Sequence, residues 1–399
     1  MSLAVRFSVV RMFGRMVGRV PAGHLWLLLR RMRNERPHRF AGTTRINTFF
    51  PPYPSRAFDR FCEAVVRRRR VPFSTYLAVT GRCPYRCPHC SYAGRRDGEM
   101  TTRQMLDVIA QVKDLGTCTL GLTGGEPMLR DDLPELIAAA GPQMASILFT
   151  SGHRLDAARA GALAAAKLTC VTIGIESADR DRHDEVRGVG GSFEEARAAA
   201  AACRDAGLYL AVSTVATRQR IASGELQQMY DLAAEWGARE FRILAPVATG
   251  GWLGCGRQML SPEETRTLVD FHVRHNRRRG LLRAQPRAPA VACFAYLESA
   301  DLFGCGAGYH HLFIDATGEV CPCDLTPLSF GNVLREPLAG IWQRMGKWFG
   351  RPRCRCLMER LAGRIPAGTP LPVPPEQSQR LVGLCPPDEP LPEGYRRLL

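Results

Sequence analysis

Residues 74–90 read STYLAVTGRCPYRCPHC, an apolar run that ends in three closely spaced cysteines. The run 74–79 has the length and composition of a buried strand. Cys83, Cys87 and Cys90 follow it with the spacing Cys-x3-Cys-x2-Cys. Three thiolates can hold three irons of a [4Fe–4S] cluster, which proteins normally bind through four cysteines. The open fourth iron predicts a catalytic centre, because a reactive metal keeps one position for a ligand from outside the protein.

The chain around this stretch alternates between apolar strand candidates and alanine-rich helical candidates. The strand candidates are residues 74–79, 119–123, 146–150, 170–175, 208–215 and 240–246. The helical candidates between them are residues 101–115, 132–140, 155–166, 193–206 and 224–236. Strands separated by helices predict parallel βαβ units with both faces of the sheet covered. Catalytic groups in such folds lie at the carboxyl ends of the strands, where the cysteine loop also lies.

A second motif closes the next strand along the chain. Residues 121–127 read GLTGGEP. Gly124 and Gly125 allow the backbone to approach a ligand closely, since glycine has no side chain and tolerates unusual backbone angles. Glu126 adds a carboxylate beside them. The segment alone would be an ordinary turn, but its position one βα unit after the cysteine loop predicts part of a cofactor site.

The cysteine spacing and the GGEP segment together resemble the radical SAM superfamily. The resemblance implies an enzyme with an α/β fold, a partial (βα)6 TIM-like barrel that is open on one side. It also implies that S-adenosylmethionine (SAM) chelates the open iron and is cleaved reductively to a 5′-deoxyadenosyl radical, which abstracts hydrogen from a substrate. An external donor such as flavodoxin or ferredoxin would supply the electron. Gly124, Gly125 and Glu126 would surround the SAM ammonium group, and His89 stands where the family usually has an aromatic residue.

The same resemblance implies further contacts to SAM. Glu176 and Ser177, at the end of the fourth strand candidate, would meet the ribose or the carboxylate of SAM. Arg187 lies in residues 183–188, HDEVRG, which resemble a family stretch; a helix cap is the alternative there. Ser213 in the fifth strand candidate is a possible ribose contact. No catalytic acid or base stands out, and hydrogen abstraction by a radical requires none.

A second group of cysteines lies towards the carboxyl terminus. Cys305, Gly318 and Cys323 have a spacing that resembles the start of the auxiliary-cluster region in SPASM and twitch radical SAM enzymes. Residues 313–324, FIDATGEVCPCD, predict a strand, a turn and a second strand. A structural zinc ion held by four thiolates is the alternative to an iron–sulfur cluster. The preferred assignment is one auxiliary [4Fe–4S] cluster near the barrel mouth, with the ligands Cys305, Cys323, Cys354 and Cys356, and with Cys321 and Cys385 as alternates.

The net charge of +16 belongs mostly to the first 70 residues, which contain 16 arginines, no lysine and three acidic residues. A basic amphipathic helix can lie on an anionic membrane. Packing on the barrel with solvated arginines is an equal alternative. Nucleic-acid binding is not expected, because no nucleic-acid-binding fold is recognisable. The apolar residues predicted to share one side of this helix are Val9, Val10, Phe13, Met16 and Val17.

The chain therefore divides into four predicted segments. They are a basic amphipathic extension at 1–70, a radical SAM core at 71–280, a SPASM/twitch-like domain at 281–364 and an irregular, proline-rich tail at 365–399. No apolar stretch is long enough to span a membrane. The 15 cysteines have spacings that favour metal ligation in a reducing cytoplasm over a disulfide framework, with peripheral contact at the inner membrane face as an option.

The substrate is the least determined feature. Most SPASM and twitch relatives modify peptide or protein side chains, so that the resemblance favours a maturase. A membrane lipid, an isoprenoid or another small molecule is the second hypothesis, suggested by the basic extension. A non-catalytic binding protein whose cysteines hold zinc is the alternative outside the enzymes.

Overall fold

One large sheet and one small hairpin contain the strands of the chain. The computed structural model describes residues 3–255, 259–277, 288–366, 368–385 and 390–399. The strands are β1 (His38–Phe40), β2 (Thr43–Arg45), β3 (Ser74–Thr80), β4 (Thr119–Gly124), β5 (Ala145–Thr150), β6 (Cys170–Gly174), β7 (Leu210–Val215), β8 (Glu240–Leu244), β9 (Ala290–Cys293), β10 (His311–Ile314) and β11 (Val320–Cys321). The first two pair as an antiparallel hairpin. The other nine form the sheet, in the order β11-β10-β3-β4-β5-β6-β7-β8-β9.

Helices follow most strands of the sheet and cover its outer face. They are α1 (Leu3–Gly14), α2 (Ala22–Arg31), α3 (Arg56–Val66), α4 (Thr102–Asp114), α5 (Leu133–Ala140), α6 (Ala157–Ala165), α7 (Arg180–Arg187), α8 (Ser192–Asp205), α9 (Arg218–Ser223), α10 (Glu225–Glu235), α11 (Pro262–Asn276), α12 (Phe294–Leu297), α13 (Leu338–Met345), α14 (Met358–Leu361), α15 (Pro375–Gly383) and α16 (Glu393–Arg396). The edge strands β9 and β11 do not pair with each other within the described ranges. The predicted partial barrel is confirmed, and the six strand candidates form β3 to β8.

Side chains alternate between the two faces of each barrel strand. Leu77, Leu122 and Ile173 are fully buried in the apolar core that the sheet shares with the surrounding helices. Tyr76 and Phe149 point the other way, into the barrel, with their ring centroids 4.9 Å apart. Fully burying a leucine-sized side chain contributes about 1.5–3 kcal/mol. The outer layer therefore holds the barrel together, while the inner face is left to line a cavity.

The sheet is longer than the sequence predicts. β9, only four residues long, pairs in parallel with β8 and was not predicted. β10 pairs in parallel with β3, and His311 lies beside Ser74, the first residue of β3. The predicted hairpin at 313–324 is confirmed as β10 and β11. The carboxyl-terminal cysteine region is thus joined to the barrel by a shared sheet.

The amino-terminal extension is helical, as predicted, but its apolar side chains do not share one side. Phe13 and Met16 are buried, whereas Val10 is 68% exposed and Val17 is 60% exposed. The prediction was wrong because α1 ends at Gly14, so that residues 16 and 17 lie in the turn that follows. Successive helix residues are also about 100° apart, which turns Val10 away from the buried side. In the described part of the chain, no helix combines the length and the apolar character that crossing a membrane requires.

The proline-rich tail is more ordered than predicted. It contains α15 and α16, and Val373, Val382 and Tyr395 are buried. Two of its prolines start helices: Pro375 is in the first turn of α15, and Pro392 is the residue before α16. Proline is tolerated at this position, because the first helical N–H groups have no partner within the helix. The expectation of irregular structure rested on the proline content of the tail.

Candidate functional site

The cysteines of the first motif lie in the loop that leaves β3 at its carboxyl end. Cys83, Cys87 and Cys90 all carry free thiols, and Cys83 is the most exposed of them. Burial raises the pKa of the Cys83 thiol to about 11. Burial also raises the pKa of Cys87, against the opposing charge of Arg187, whose guanidinium donates to the Cys87 sulfur at 3.6 Å. Bound iron would supply the positive charge that these thiolates require.

The GGEP segment packs directly against the start of this cysteine loop. Gly125 N donates to Thr80 O at 2.8 Å, and a Cβ on Gly125 would lie 2.1 Å from Arg82 O. Gly124 has a φ of 129°, and a Cβ there would lie 2.2 Å from Thr80 O. Any side chain at either glycine would therefore push the two loops apart. The sequence analysis identified both residues, and the structure supplies the backbone contact that requires them.

A second pair of glycines touches the same loop and was missed. Gly251 N donates to Cys90 O at 2.9 Å. A Cβ on Gly250 would lie 2.1 Å from Cys90 O, and one on Gly251 would lie 2.3 Å from Pro88 O. No local pattern connects residues 250 and 251 with cysteines 160 positions earlier, so that only the fold reveals the contact. The loop is held between two glycine turns.

The Glu126 carboxylate is used inside the protein. It is 1% exposed and accepts hydrogen bonds from Met128 N at 3.0 Å, Thr150 Oγ1 at 2.6 Å and Ser151 N at 2.8 Å. The Ser151 hydroxyl also donates to it. The side chain thus ties the end of β4 to the end of β5. Its effect on a ligand beside the cysteine loop would come through the shape of the backbone turn.

Glu176 lies at the centre of a buried charged network beside the cysteine loop. Its carboxylate is 3.1 Å from the guanidinium groups of both Arg187 and Arg220, and 3.3 Å from His89 Nε2. Burial opposes its ionisation, but His89, Arg187 and Arg220 together lower the pKa of Glu176 well below its usual value. Arg187 also donates to Gly174 O at 2.9 Å. The network fixes His89 and Arg187 next to Cys87 and Cys90, and Arg220 was not predicted to belong to it.

The two predicted serine contacts have different surroundings. Ser177 is 1% exposed, and its hydroxyl donates to the buried Glu225 carboxylate. Ser213, at the inner face of β7, lines the barrel cavity. Arg242 on the neighbouring strand β8 pairs with Ser213 in the sheet register, and it also lines the cavity. Ser213 is therefore the one of the two hydroxyls that a ligand in the barrel can reach.

The auxiliary cysteines lie together near the amino-terminal ends of the barrel strands, whereas the first cysteine motif lies at their carboxyl ends. Cys305, Cys323 and Cys356 are half-buried and line the cavity. A hydrogen bond shared by Cys305 and Cys356 lowers the pKa of Cys305 and raises that of Cys356. Burial and the nearby Asp324 raise the pKa of Cys323.

This auxiliary group lies near the first residue of β3, whereas the cysteine loop follows its last. Ser74 Oγ is 2.7 Å from His311 Nδ1, and His311 Nε2 is 3.1 Å from the Asp324 carboxylate, next to Cys323. Because a strand rises about 3.3 Å per residue, the length of β3 separates the two groups by roughly 20 Å. The expectation that the auxiliary site lies at the barrel mouth was wrong, because β10 runs parallel to β3 and the auxiliary cysteines lie at its amino-terminal end.

The remaining predicted cysteines are arranged differently. Cys354 Sγ donates to Pro390 O at 2.7 Å. Cys321 is buried in a small apolar cluster with Phe313, and Arg95 donates to its sulfur at 3.7 Å. Cys385 is buried in the main apolar core. The structure thus brings together three of the four preferred auxiliary ligands and leaves the alternates apart.

Two donors beside this group were missed by the sequence analysis. The ligand atoms of His311, Cys323 and Asp324 all lie within 4.8 Å of one another. Asp324 directly follows a predicted ligand, which was a signal in the sequence. His311 carried no such signal, because the pairing of β10 with β3 brings it to the site.

A cavity of about 730 Å³ runs through the barrel and reaches the auxiliary thiols. Its walls at the carboxyl ends of the strands include Thr123 and Pro246, and its middle includes Tyr76 and Ser213. Its other end is closed by the amino-terminal extension and by the region around Cys305. Most of the lining is apolar. The volume lies within the range of pockets that bind small ligands, about 300–1,000 Å³.

The residues present fit the cofactors that the sequence implies. The loop after β3 offers three free thiols within eight residues. The glycine turns lie so close to this loop that no side chain would fit between them. A site for a bulky ligand requires backbone without side chains at such positions. The second group offers three thiols with further oxygen and nitrogen donors. Thiolates are the donors that bind iron–sulfur clusters.

Comparison with known proteins agrees with this arrangement. A family model described as the radical SAM superfamily matches residues 77–217, and one described as an iron–sulfur cluster-binding domain, SPASM, matches residues 305–356. The PqqA peptide cyclase of Rhizobium meliloti (strain 1021) is 32% identical over 286 residues, which cover 68% of this chain and 73% of the relative.

Two further similarities extend this comparison. An AdoMet-dependent heme synthase of Nitratidesulfovibrio vulgaris is 28% identical, covering 67% of this chain and 77% of that protein. The structure of Streptococcus suis SuiB bound to the precursor peptide SuiA has the same fold, with a TM-score of 0.56 and 17% identity, over 71% of this chain and 68% of that one. The chain is an enzyme of the radical SAM superfamily with a carboxyl-terminal SPASM domain, and its cofactors are SAM and [4Fe–4S] clusters.

Proposed function

We propose that this enzyme is a maturase that modifies a side chain of a peptide or protein by radical chemistry. The observation that carries the proposal is the cavity, which joins the strand ends near the cysteine loop to the auxiliary thiols at the other edge of the sheet. A substrate side chain inside it would lie between the two groups. The apolar lining would exclude water, and a reactive carbon radical requires this exclusion.

In this proposal the loop of Cys83, Cys87 and Cys90 holds the cluster that binds SAM. When bound and reduced, that cluster supplies a 5′-deoxyadenosyl radical able to abstract hydrogen from an unactivated carbon. The turn at Gly124 and Gly125 positions the ammonium end of SAM through its backbone, while Glu126 fixes the shape of the turn. Ser213 and Arg187 are also proposed to contact SAM. Glu176 and Ser177 are proposed to act indirectly, through the residues that they orient.

The auxiliary cluster is proposed to rest on Cys305, Cys323 and Cys356, with Cys354 as the fourth ligand. Cys354 would have to release its hydrogen bond to Pro390 to reach it. The cluster would accept the electron left after hydrogen abstraction or hold the substrate in place. Both roles need it to face the cavity, as the three gathered thiols do.

Relatives support a peptide substrate. One is named a PqqA peptide cyclase, and a protein of the same fold is described as bound to its precursor peptide. We propose that the cavity accepts an apolar or aromatic side chain, since Tyr76, Phe149 and Phe294 line it. An external one-electron donor such as flavodoxin or ferredoxin would reduce the SAM-binding centre.

A small apolar molecule is the second candidate substrate. The extension contributes Met12, Met16 and Phe58 to the cavity wall, which would suit a lipid or an isoprenoid. The similarity to a heme synthase also supports a non-peptide substrate. We propose a cytoplasmic enzyme with peripheral contact at the inner membrane face, and the predicted segment boundaries at 70, 280 and 364 as its domain limits.

The test uses the full chain, reconstituted with iron and sulfide without oxygen and supplied with SAM and a strong reductant. Candidate peptides are those encoded beside its gene. We expect 5′-deoxyadenosine release and a SAM-dependent mass change in a peptide, both absent from Cys87→Ala. Release of 5′-deoxyadenosine with a mass change only in an added lipid extract would favour the second candidate. Absence of 5′-deoxyadenosine would refute the proposal itself.

A further inference from the structure

The amino-terminal extension contains more of the exposed large apolar side chains than any other part of the described chain. Nine large apolar side chains are exposed among the described residues, and five of them lie between residues 7 and 29. Single exposed apolar residues are normal, but a concentration of them marks an interaction site. We name these five residues the outer face: Phe7, Val10, Val17, Trp26 and Leu29.

The opposite side of the same helices is already occupied. Met12, Met16 and Val20 are buried in a second apolar core, against which Leu25 and Leu28 also pack. This core includes residues from the carboxyl-terminal part of the chain, so that the extension is fixed to the body of the protein. A helix that is apolar on both sides needs a second partner. The outer face is the side whose partner is not part of this chain's described fold.

Arginines surround the outer face. The guanidinium carbon of Arg11 is 5.2 Å from the Phe7 ring centroid, and that of Arg30 is 5.3 Å from the Trp26 ring centroid. Arg397 from the carboxyl terminus lies 5.8 Å from the same Trp26 ring, but its charge is paired with Glu393. The outer face is therefore both apolar and strongly basic.

The acidic residues of the extension do not offset this charge. Asp59 pairs with Arg15, and Glu63 pairs with both Arg19 and Arg67. The third acid, Glu35, is buried. All three acids of residues 1–70 are therefore paired with other arginines or buried, and none of them offsets the charge of the arginines beside the outer face.

We propose that the outer face docks on the surface of an anionic lipid bilayer. A bilayer interface offers acyl chains for the apolar side chains and acidic head groups for the arginines around them. Trp26 has the amphipathic ring that is enriched at membrane interfaces. A second copy of the chain fits less well, because two strongly basic faces would repel each other. The inference rests on the peripheral membrane contact of the proposed function, names the residues that make it, and holds for either candidate substrate.

Flotation of the full-length protein with vesicles tests the proposal. The vesicles contain either phosphatidylcholine alone or equal parts of phosphatidylcholine and phosphatidylglycerol. We expect binding to the phosphatidylglycerol vesicles that weakens as salt rises, and little binding to phosphatidylcholine alone. The double substitution V10S/W26S should weaken binding about tenfold or more. The double substitution R11Q/R30Q should weaken it to a similar degree.

The matched control is L334S/L384S, which removes two exposed apolar side chains from other parts of the surface. It should bind vesicles as the unsubstituted protein does. Equal losses in the control and in V10S/W26S would overturn the proposal, as would no binding to phosphatidylglycerol vesicles at low salt. A concentration-dependent dimer that V10S/W26S dissociates, found together with absent vesicle binding, would overturn it in favour of a second copy. Release of 5′-deoxyadenosine in solution should be unchanged in V10S/W26S, which separates this test from that of the proposed function.

Discussion

The two groups of cysteines differ in how the chain assembles them. Cys83, Cys87 and Cys90 come from one loop of eight residues at the carboxyl edge of the sheet. Cys305, Cys323 and Cys356 come from three separate segments and meet at the amino edge. The first group can be identified from spacing alone. Members of the second were also named from their spacing, but the pairing of β10 with β3 decides where they lie and brings His311 beside them.

The surroundings of the two groups differ as well. Two glycine turns and the buried network of Glu176 hold the first loop. The second group faces the cavity, with His311 and Asp324 as its polar neighbours. The first site is therefore shaped before any cofactor binds. The second has three thiols close together, and under the proposed function Cys354 would have to move to complete it.

Loss of a cysteine from the first loop should have the largest effect. Cys87→Ala removes one of three ligands to the SAM-binding cluster, and even the loss of a residue that supports a ligand costs about 10- to 100-fold. We expect 5′-deoxyadenosine release to fall by more than about 100-fold. Cys203→Ala, at a cysteine buried in α8, is the control and should retain the release. Comparable release from both variants would contradict the assignment.

Breaking the network around Glu176 should destabilise the fold itself. Glu176→Gln leaves Arg187 and Arg220 buried without their carboxylate, and removing one member of a buried ion pair costs about 3–5 kcal/mol. We expect the free energy of unfolding, measured in denaturant without cofactor, to fall by about that amount. Glu63→Gln, at an exposed ion pair, should leave it nearly unchanged.

The sign of the pH dependence follows from the same network. The pKa of Glu176 is lower in the folded protein than its usual value, so that its contribution is present at neutral pH and is lost as the pH falls through the folded pKa. Glu176→Gln should therefore reduce the difference in the free energy of unfolding between neutral and acidic pH. An unchanged difference, together with an unchanged free energy, would mean that the network does not support the loop.

The auxiliary group should separate SAM cleavage from product formation. Cys356→Ala should spare 5′-deoxyadenosine release but reduce product formation by on the order of tenfold or more, because the auxiliary cluster acts after the radical forms. Cys354→Ala should lose less iron than Cys356→Ala, since the Cys354 thiol is hydrogen-bonded to Pro390 O. Iron content and product mass are the measurements. Equal iron loss in both variants would show that Cys354 joins the cluster fully, and unaltered turnover in Cys356→Ala would refute the auxiliary role.

The smallest expected effect is a difference in thiol reactivity without metal. The thiolate is the reactive form, and the pKa of Cys305 is lowered by its hydrogen bond with Cys356, whereas that of Cys83 is raised to about 11. Alkylation followed by mass spectrometry should label Cys305 faster than Cys83 at neutral pH. The difference between the two labelling rates should become smaller as the pH approaches the pKa of Cys83. Faster labelling of Cys83 at neutral pH would reverse the contrast.

Residues close together in sequence were predictable, and those brought together by packing were not. The barrel strands, the cysteine loop and the turn at Gly124 follow from local patterns. Gly250 and His311 could not be placed, because their contacts join distant segments. The outward side of α1 was misjudged because the helix ends at Gly14, before Met16 and Val17.

Mössbauer spectroscopy of the anaerobically reconstituted protein tests most directly whether one chain holds two independent cluster sites. We expect one cluster signal that changes when SAM is added and is missing from Cys87→Ala, and a second that ignores SAM and is missing from Cys356→Ala. Loss of both signals through either single substitution, or a SAM-sensitive signal that survives in Cys87→Ala, would contradict the account.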